Sequence, residues 1–357
     1  MPALHQTADR ILAHHREAGT PEVAAARAAV VEHLTALGYR VSAQPFRFHR
    51  SALMGLPIFG AGVGASALLA LPLLTMPTVP GPGALAVWAV ILVATIGLSV
   101  GVAAGWLTLG PAREDANLIA VRSGKSVRRW IVAHLDSKAQ AQSMAGRLVT
   151  VWVLASAIVF LTALTVARLW GPLPLWLGAF GAALAIGAGA LAGRGRLRGT
   201  SRGARDNGTG VVAALAYAEA SSDPQTGILI TSGEEFGLVG SRIFARLRGT
   251  MAGVEVVNFD TIDDEGHYFL VSHDARGAAM AQALADHLSR LGMDVRTRRL
   301  PIGILVDSLP FARAGAGAVT VGRLTWRTLR LIHTPADVPG TLSLDAAELV
   351  GRAIALN

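Results

Sequence analysis

The chain has 357 residues, 52% of them hydrophobic and only 16% charged, a balance too apolar for an ordinary soluble protein, so part of it meets lipid. Its formal net charge of +8 is almost wholly arginine, because lysine occurs only at Lys125 and Lys138, and such an excess suits nucleic acid or an anionic membrane face. The absence of cysteine excludes disulfides, cysteine-held metal and a thiol nucleophile, and leaves His, Asp and Glu as the donors for any metal.

The first residues, MPALHQTADRILAHHREAG, lack the apolar centre of a cleaved signal peptide, which makes the first apolar span an internal anchor. Thr20-Pro21-Glu22 predicts a helix start with Thr as N-cap, closing at Gly38 and leading into an alternating strand, Tyr39 to Phe48. From Ser51 to Ala112 there is no Asp, Glu, Lys, Arg or His, and a Pro/Gly cluster from Pro77 to Gly83 divides the run. Each half exceeds the roughly 20 apolar residues that cross a bilayer core. Strand-like runs follow at Asn117–Val121 and Trp130–Ala133. A second apolar pair, Leu148–Ala167 and Leu173–Gly193, is separated by Arg168, Gly171 and Pro172. The remainder alternates: helices at Thr209–Ala220, Val239–Leu247, Arg276–Leu291 and Leu344–Ala355, with strands at Ile228–Thr231, Val254–Phe259, Tyr268–Val271 and Ala318–Val321. The expected organisation is one discontinuous α/β domain (1–50, 111–146 and 200–357) interrupted by two transmembrane hairpins (51–110 and 147–199).

Arg47, Arg50, Arg113, Arg147, Arg194, Arg196 and Arg198 flank the hairpins on the polar-domain side, whereas only Arg168 lies on a connecting turn. The positive-inside rule therefore predicts an integral protein of a bacterial inner membrane with four spans and a cytoplasmic polar domain. The arginine run from Arg194 to Arg205 lacks interleaved aromatics, so it reads as an orientation signal beside anionic lipid and no nucleic-acid partner is expected.

Ligands of α/β sheets gather at the carboxyl ends of strands. There the sequence places His134 and Asp136 after WIVA, Glu234 and Glu235 after ILITSG, and Asp260 after VEVVNF; Asp206 opens a helix in GARDNGTG and His333 follows a short apolar run in IHTPAD. Singly each has an ordinary explanation, a surface loop pair or a solvated turn. Together two histidines and several carboxylates form a nitrogen and oxygen donor set suited to zinc or a similar divalent ion.

In this order the strings resemble metallopeptidase family twenty-eight, the family of bacterial leucyl aminopeptidases, aminopeptidase Y and plasma glutamate carboxypeptidase. GTPEVAAARAAVVEHLTALGYRV resembles its opening helix and strand, AHLDS its first ligand loop, ARDNGTG its bridging-carboxylate loop, TSGEEFGLVGS its Glu-Glu loop, NFDTI its next ligand strand, VDSLPFARAG its substrate-side loop and IHTPADV its last ligand. The resemblance implies a mixed central sheet flanked by helices and two co-catalytic zinc ions, with cobalt or manganese as other candidates. It further implies that His134 and Asp260 bind one ion, Glu235 and His333 the other, with Asp206 bridging and Glu234 as general base. Asp136 would then accept from the second ring nitrogen of His134.

The sequence departs from the family at three points. His134 and Asp206 are 72 positions apart because the second hairpin lies between them, Val306-Asp307-Ser308 replaces the common Ser-Asp-His, and Arg205 stands where an acidic residue is usual. Asp307 is either a substrate contact or an N-cap for the helix starting at Leu309-Pro310-Phe311. The expected activity is that of a membrane-anchored aminopeptidase acting on peptides. The rival readings are a glutaminyl cyclase, whose Asp-Ser-Lys is similar to Asp136-Ser137-Lys138 but which normally uses one zinc, and a non-catalytic membrane scaffold. A transporter is disfavoured because the spans carry almost no ionisable residue.

Overall fold

In the computed structural model, which describes residues 3–122, 126–300 and 304–356, eight strands run along the chain: β1 (Arg40–His49), β2 (Ala112–Val121), β3 (Arg129–His134), β4 (Thr226–Thr231), β5 (Glu255–Ile262), β6 (Tyr268–Ser272), β7 (Val295–Arg299) and β8 (Gly317–Arg323). They form one sheet in the order β1-β2-β4-β3-β5-β8-β6-β7. The middle strands β4, β3, β5 and β8 are parallel, while β2 runs antiparallel to β4 and β6 antiparallel to β8, so the sheet is mixed. Parallel strands covered on both faces need apolar residues at every position rather than at alternate ones. All six residues of β4 and the last five of β3 are buried, which is why their sequences read as short continuous apolar runs.

The chain divides into two compact units. The first comprises Met1–Phe48, Ala112–Ala139 and Gly199–Asn357; the second comprises His49–Pro111 and Gln140–Arg198. Before the sheet, the first unit has α1 (Leu4–Leu12) and α2 (Pro21–Ala36), the latter capped as its sequence predicts, with Val23 N donating to Thr20 Oγ1 at 3.3 Å. The second unit has α3 (Gly55–Ala65), α4 (Ala67–Thr75), α5 (Gly81–Ala103), α6 (Met144–Ala167) and α7 (Leu175–Gly193). The first unit then resumes with α8 (Thr209–Ala220), α9 (Val239–Arg248), α10 (Ala275–Arg290), α11 (Ser308–Arg313), α12 (Trp326–Leu331) and α13 (Asp345–Ala355). Helix α8 is buried from Thr209 to Ala218 and built of small residues that let α13 approach closely; a Cβ at Gly351 would collide with the Ala213 carbonyl.

Within the second unit four helical segments are long and apolar enough to cross a membrane: Arg50–Thr75, Gly81–Ala103, Met144–Trp170 and Leu175–Gly193. The first is not one helix, since α3 ends and α4 begins on either side of Ser66. Leu68, Val93, Trp152 and Val159 are exposed on these helices, apolar surface that water would penalise. Their inner faces pack through small residues, as membrane helices do. A Cβ at Gly189 of α7 would lie 2.6 Å from the Gly60 carbonyl and 3.0 Å from Gly64 Cα of α3. Trp88 donates its indole N–H to Thr162 at 2.9 Å, and Ser99 donates to the Gly55 carbonyl at 2.8 Å.

Candidate active site

His134 is the last residue of β3, Glu234 and Glu235 follow β4, and Asp260 lies in β5, so three adjacent parallel strands deliver their polar residues to one end of the sheet. Between Phe259 and Ile262 the β5–β8 register shifts, and Thr261 there has φ +57°, a left-handed conformation that a β-branched residue adopts only when its surroundings hold it. Asp206 sits in the turn before α8. His333, after α12, also lies in the left-handed region at φ +65°. The structure thus brings together His134, Asp206, Glu234, Glu235, Asp260 and His333.

Asp206 is the hinge of the cluster. Its Oδ1 is 3.3 Å from His134 Nε2 and its Oδ2 is 3.0 Å from His333 Nε2. On the outer side of each imidazole stands a further carboxylate: Asp260 Oδ1 is 3.8 Å from His134 Nε2, and Glu235 Oε2 is 3.6 Å from His333 Nε2. The ligand atoms of His134, Glu234 and Asp260 lie within 4.8 Å of one another, as do those of Asp206, Glu235 and His333. Burial opposes charge on Asp206, but hydrogen bonds to the two histidines outweigh it and hold the carboxyl well below its usual range. Burial also opposes charge on His134, and here Glu234, Asp136, Asp206 and Asp260 prevail and raise it. Glu234 goes the other way: burial, reinforced by Glu235, Asp260 and Asp307 and opposed by His134, pushes its carboxyl well above the carboxylate range. So many convergent acidic groups call for a cation. Imidazole nitrogens with carboxylate oxygens suit zinc, and the buried Glu235 Oε1 has no hydrogen-bond partner among the described residues, so the donor set fits a divalent metal.

Two expected roles look different in the structure. Asp136 was expected to take the second ring nitrogen of His134 on its carboxylate; instead its main-chain carbonyl is 3.0 Å from Nδ1 and the carboxylate oxygen is 3.7 Å away. That carboxylate accepts the backbone N–H groups of Glu234 and Glu235, both at 3.2 Å, and so positions the Glu-Glu loop. Asp307 precedes α11 without capping it; its side chain accepts from the Thr231 hydroxyl, its other oxygen is buried with no hydrogen-bond partner among the described residues, and burial pushes its pKa up to about 6. Arg205 is buried against Asp263, donating from Nε at 3.0 Å, while its backbone N–H donates to Asp337 at 2.9 Å, so it fastens the Asp206 loop rather than lining an open surface.

Three further residues support the site, and of these Arg16 carries no mark in the sequence. Arg16, fully buried, donates to the carbonyls of Leu135 at 2.7 Å, Gly203 at 2.8 Å and Arg202, tying the His134 loop to the Asp206 loop. Asn207 accepts from Thr261 N at 3.1 Å and donates to the Phe259 carbonyl at 2.8 Å, which joins the Asp206 loop to β5. Lys138 is ion-paired with Glu235. Gly203, at φ +54°, is required where it stands, because a Cβ would meet the Asp206 carbonyl and the Ser137 side chain.

The mixed eight-stranded sheet flanked by helices has the fold of zinc aminopeptidase-like α/β proteins. Residues 181–356 match the model of peptidase family M28. A zinc aminopeptidase from Bacillus subtilis superposes with a TM-score of 0.58 at 13% identity, covering 99% of this chain and 92% of the other. An aminopeptidase from Aneurinibacillus sp. strain AM-1 gives 0.56 at 14% identity, with 98% and 92% covered. Glutaminyl cyclase from Fimbriiglobus ruber gives 0.55 at 15% identity, with 99% and 94% covered. No curated protein matches the chain. Family and fold together support a metallopeptidase-fold hydrolase.

Proposed function

We propose that the protein is a membrane-anchored metallopeptidase that binds two zinc ions and removes N-terminal residues from peptides. The observation that carries this reading is Asp206, one carboxylate whose two oxygens face two different histidines at 3.3 and 3.0 Å. In the proposal His134 and Asp260 hold one ion, Glu235 and His333 the other, and Asp206 bridges them. Bound there, two divalent ions supply Lewis-acid polarisation of a peptide carbonyl and acidify a water.

The remaining chemistry belongs to the chain. Glu234 takes the proton of the attacking water and returns it to the leaving amine; a carboxyl raised above its usual range is better matched to such transfers near neutral pH than an ordinary one. Asp136 keeps Glu234 and its neighbour Glu235 in place through their backbone N–H groups. Asp307, whose carboxyl burial raises to about 6, is proposed as a substrate contact. The four apolar segments anchor the protein in a lipid bilayer, with the catalytic unit on the cytoplasmic side of a bacterial inner membrane as the arginine distribution directs.

A second reading, glutaminyl cyclase, is supported by Lys138 following Asp136-Ser137 and by the likeness to solved cyclases. One experiment separates the two: purified protein is offered a peptide library with free amino termini, including N-terminal glutamine. Release of N-terminal residues that stops with a chelator is the expected result. Cyclisation of glutamine without peptide-bond cleavage would overturn the peptidase reading in favour of the second.

A further inference from the structure

Of the two lysines in the chain, one lies inside the site. Lys138 is on the loop leaving β3, its side chain is 4% exposed, and its ammonium is ion-paired with Glu235 Oε2. The same oxygen is 3.6 Å from His333 Nε2, which in turn is 3.0 Å from Asp206 Oδ2. The ammonium therefore occupies a ligand oxygen of one donor group. The other group has no such competitor: among the described residues neither Glu234 nor Asp260 forms an ion pair with a lysine or arginine.

We propose that Lys138 makes the two metal positions unequal. A first divalent ion enters at His134, Asp206 and Asp260. A second enters at Asp206, Glu235 and His333 in competition with the Lys138 ammonium, which is paired with the Glu235 oxygen that faces His333. This rests on the two-metal reading above and adds to it an internal competitor. The physical reason is that a buried carboxylate oxygen cannot serve an ammonium and a divalent ion together, and like charges a few ångströms apart in a weakly screened interior repel strongly. Lys138 is tethered by its own backbone next to the position it blocks, so it competes at high effective concentration whatever the metal supply. Its flexible four-carbon stem lets it withdraw when an ion arrives. Occupancy of the second position is then set by metal availability, and the one-metal form is a defined state of the protein.

The test is zinc binding by the full-length protein in detergent, stripped by chelator and followed by titration calorimetry, with cobalt absorption reporting each position. In the parent chain two steps are expected, separated by about 10–100-fold in Kd. In Lys138→Met, which keeps the side-chain length without the charge, the second step should tighten by about tenfold or more while the first stays unchanged. Lys138→Gln serves as the second variant should Met disturb folding, and the same tightening is expected. A single two-ion step in the parent chain, or a second step unchanged in both variants, overturns the role given to Lys138. No zinc uptake by any of the three chains overturns instead the metal reading on which it rests.

Discussion

Replacing Glu234 by Gln isolates proton transfer from everything else the site does. The amide has the shape of the carboxyl, and the backbone N–H that Asp136 accepts at 3.2 Å is untouched. Neither Asp206 nor the two histidines is altered, so the donors assigned to the metals remain. What disappears is the proton acceptor that burial and the neighbouring Glu235, Asp260 and Asp307 have made more basic. General base catalysis by a positioned side chain contributes about 10²–10⁴-fold. At about 1.4 kcal/mol per factor of ten, the variant should lose roughly 3–5 kcal/mol of transition-state stabilisation. The assay pairs kcat on a free-amine peptide with zinc content measured on the same sample. Undiminished kcat would show that another group moves the proton, and loss of zinc would show that Glu234 is a ligand, as its place in the 4.8 Å cluster with His134 and Asp260 would then explain.

Three further outcomes are expected. At saturating metal the protein should carry about two zinc ions per chain, and Asp206→Ala should abolish both, because its two oxygens serve both histidines; elemental analysis showing one ion retained at full affinity would contradict the bridging role. Arg16→Met leaves three carbonyls of the ligand loops without their donor and should cost about 3–5 kcal/mol, a melting temperature lower by roughly 10 °C, with unchanged thermal stability speaking against the clamp. The chain has no cysteine, so Thr78→Cys, Trp170→Cys and Ser222→Cys report orientation directly; in intact cells an impermeant thiol reagent should reach the first two and not the third, and the opposite pattern places the peptidase outside.

Of the candidate donors, His134, Glu234, Glu235 and Asp260 stood out because they lie at or just beyond continuous apolar strands, and a strand buried on both faces announces itself without help from periodicity; Asp206, before α8, and His333, after α12, have no such strand to mark them. Helices α2, α8, α9, α10 and α13 were legible from caps and spacing. Strand β7 was not: VRTRR lies at the edge of the sheet with four of its five residues exposed, so it has no apolar pattern to show. Helix α1 buries Leu4, Thr7, Ala8, Ile11 and Leu12 at helical spacing, yet nine residues give too few turns for that spacing to stand out. Helices α11 and α12, six residues each, are shorter still. The contacts that hold the site together were silent for another reason. Arg16, Asn207 and Asp136 act on main-chain atoms of distant loops, and no local sequence pattern records which backbone carbonyl or N–H a side chain will find.

The four apolar segments contain one buried cation, Arg168, at the end of α6, and it donates to the main-chain carbonyls of Met76 and Val79 in the turn between α4 and α5. Those carbonyls belong to a hairpin made some ninety residues earlier in synthesis than the guanidinium that satisfies them. The first hairpin thus leaves the ribosome with its turn unfinished, and the second completes it on arrival. Order of synthesis is written into the bundle: the later pair of helices latches the earlier one, and a chain truncated before Arg168 would present a pair that has no latch.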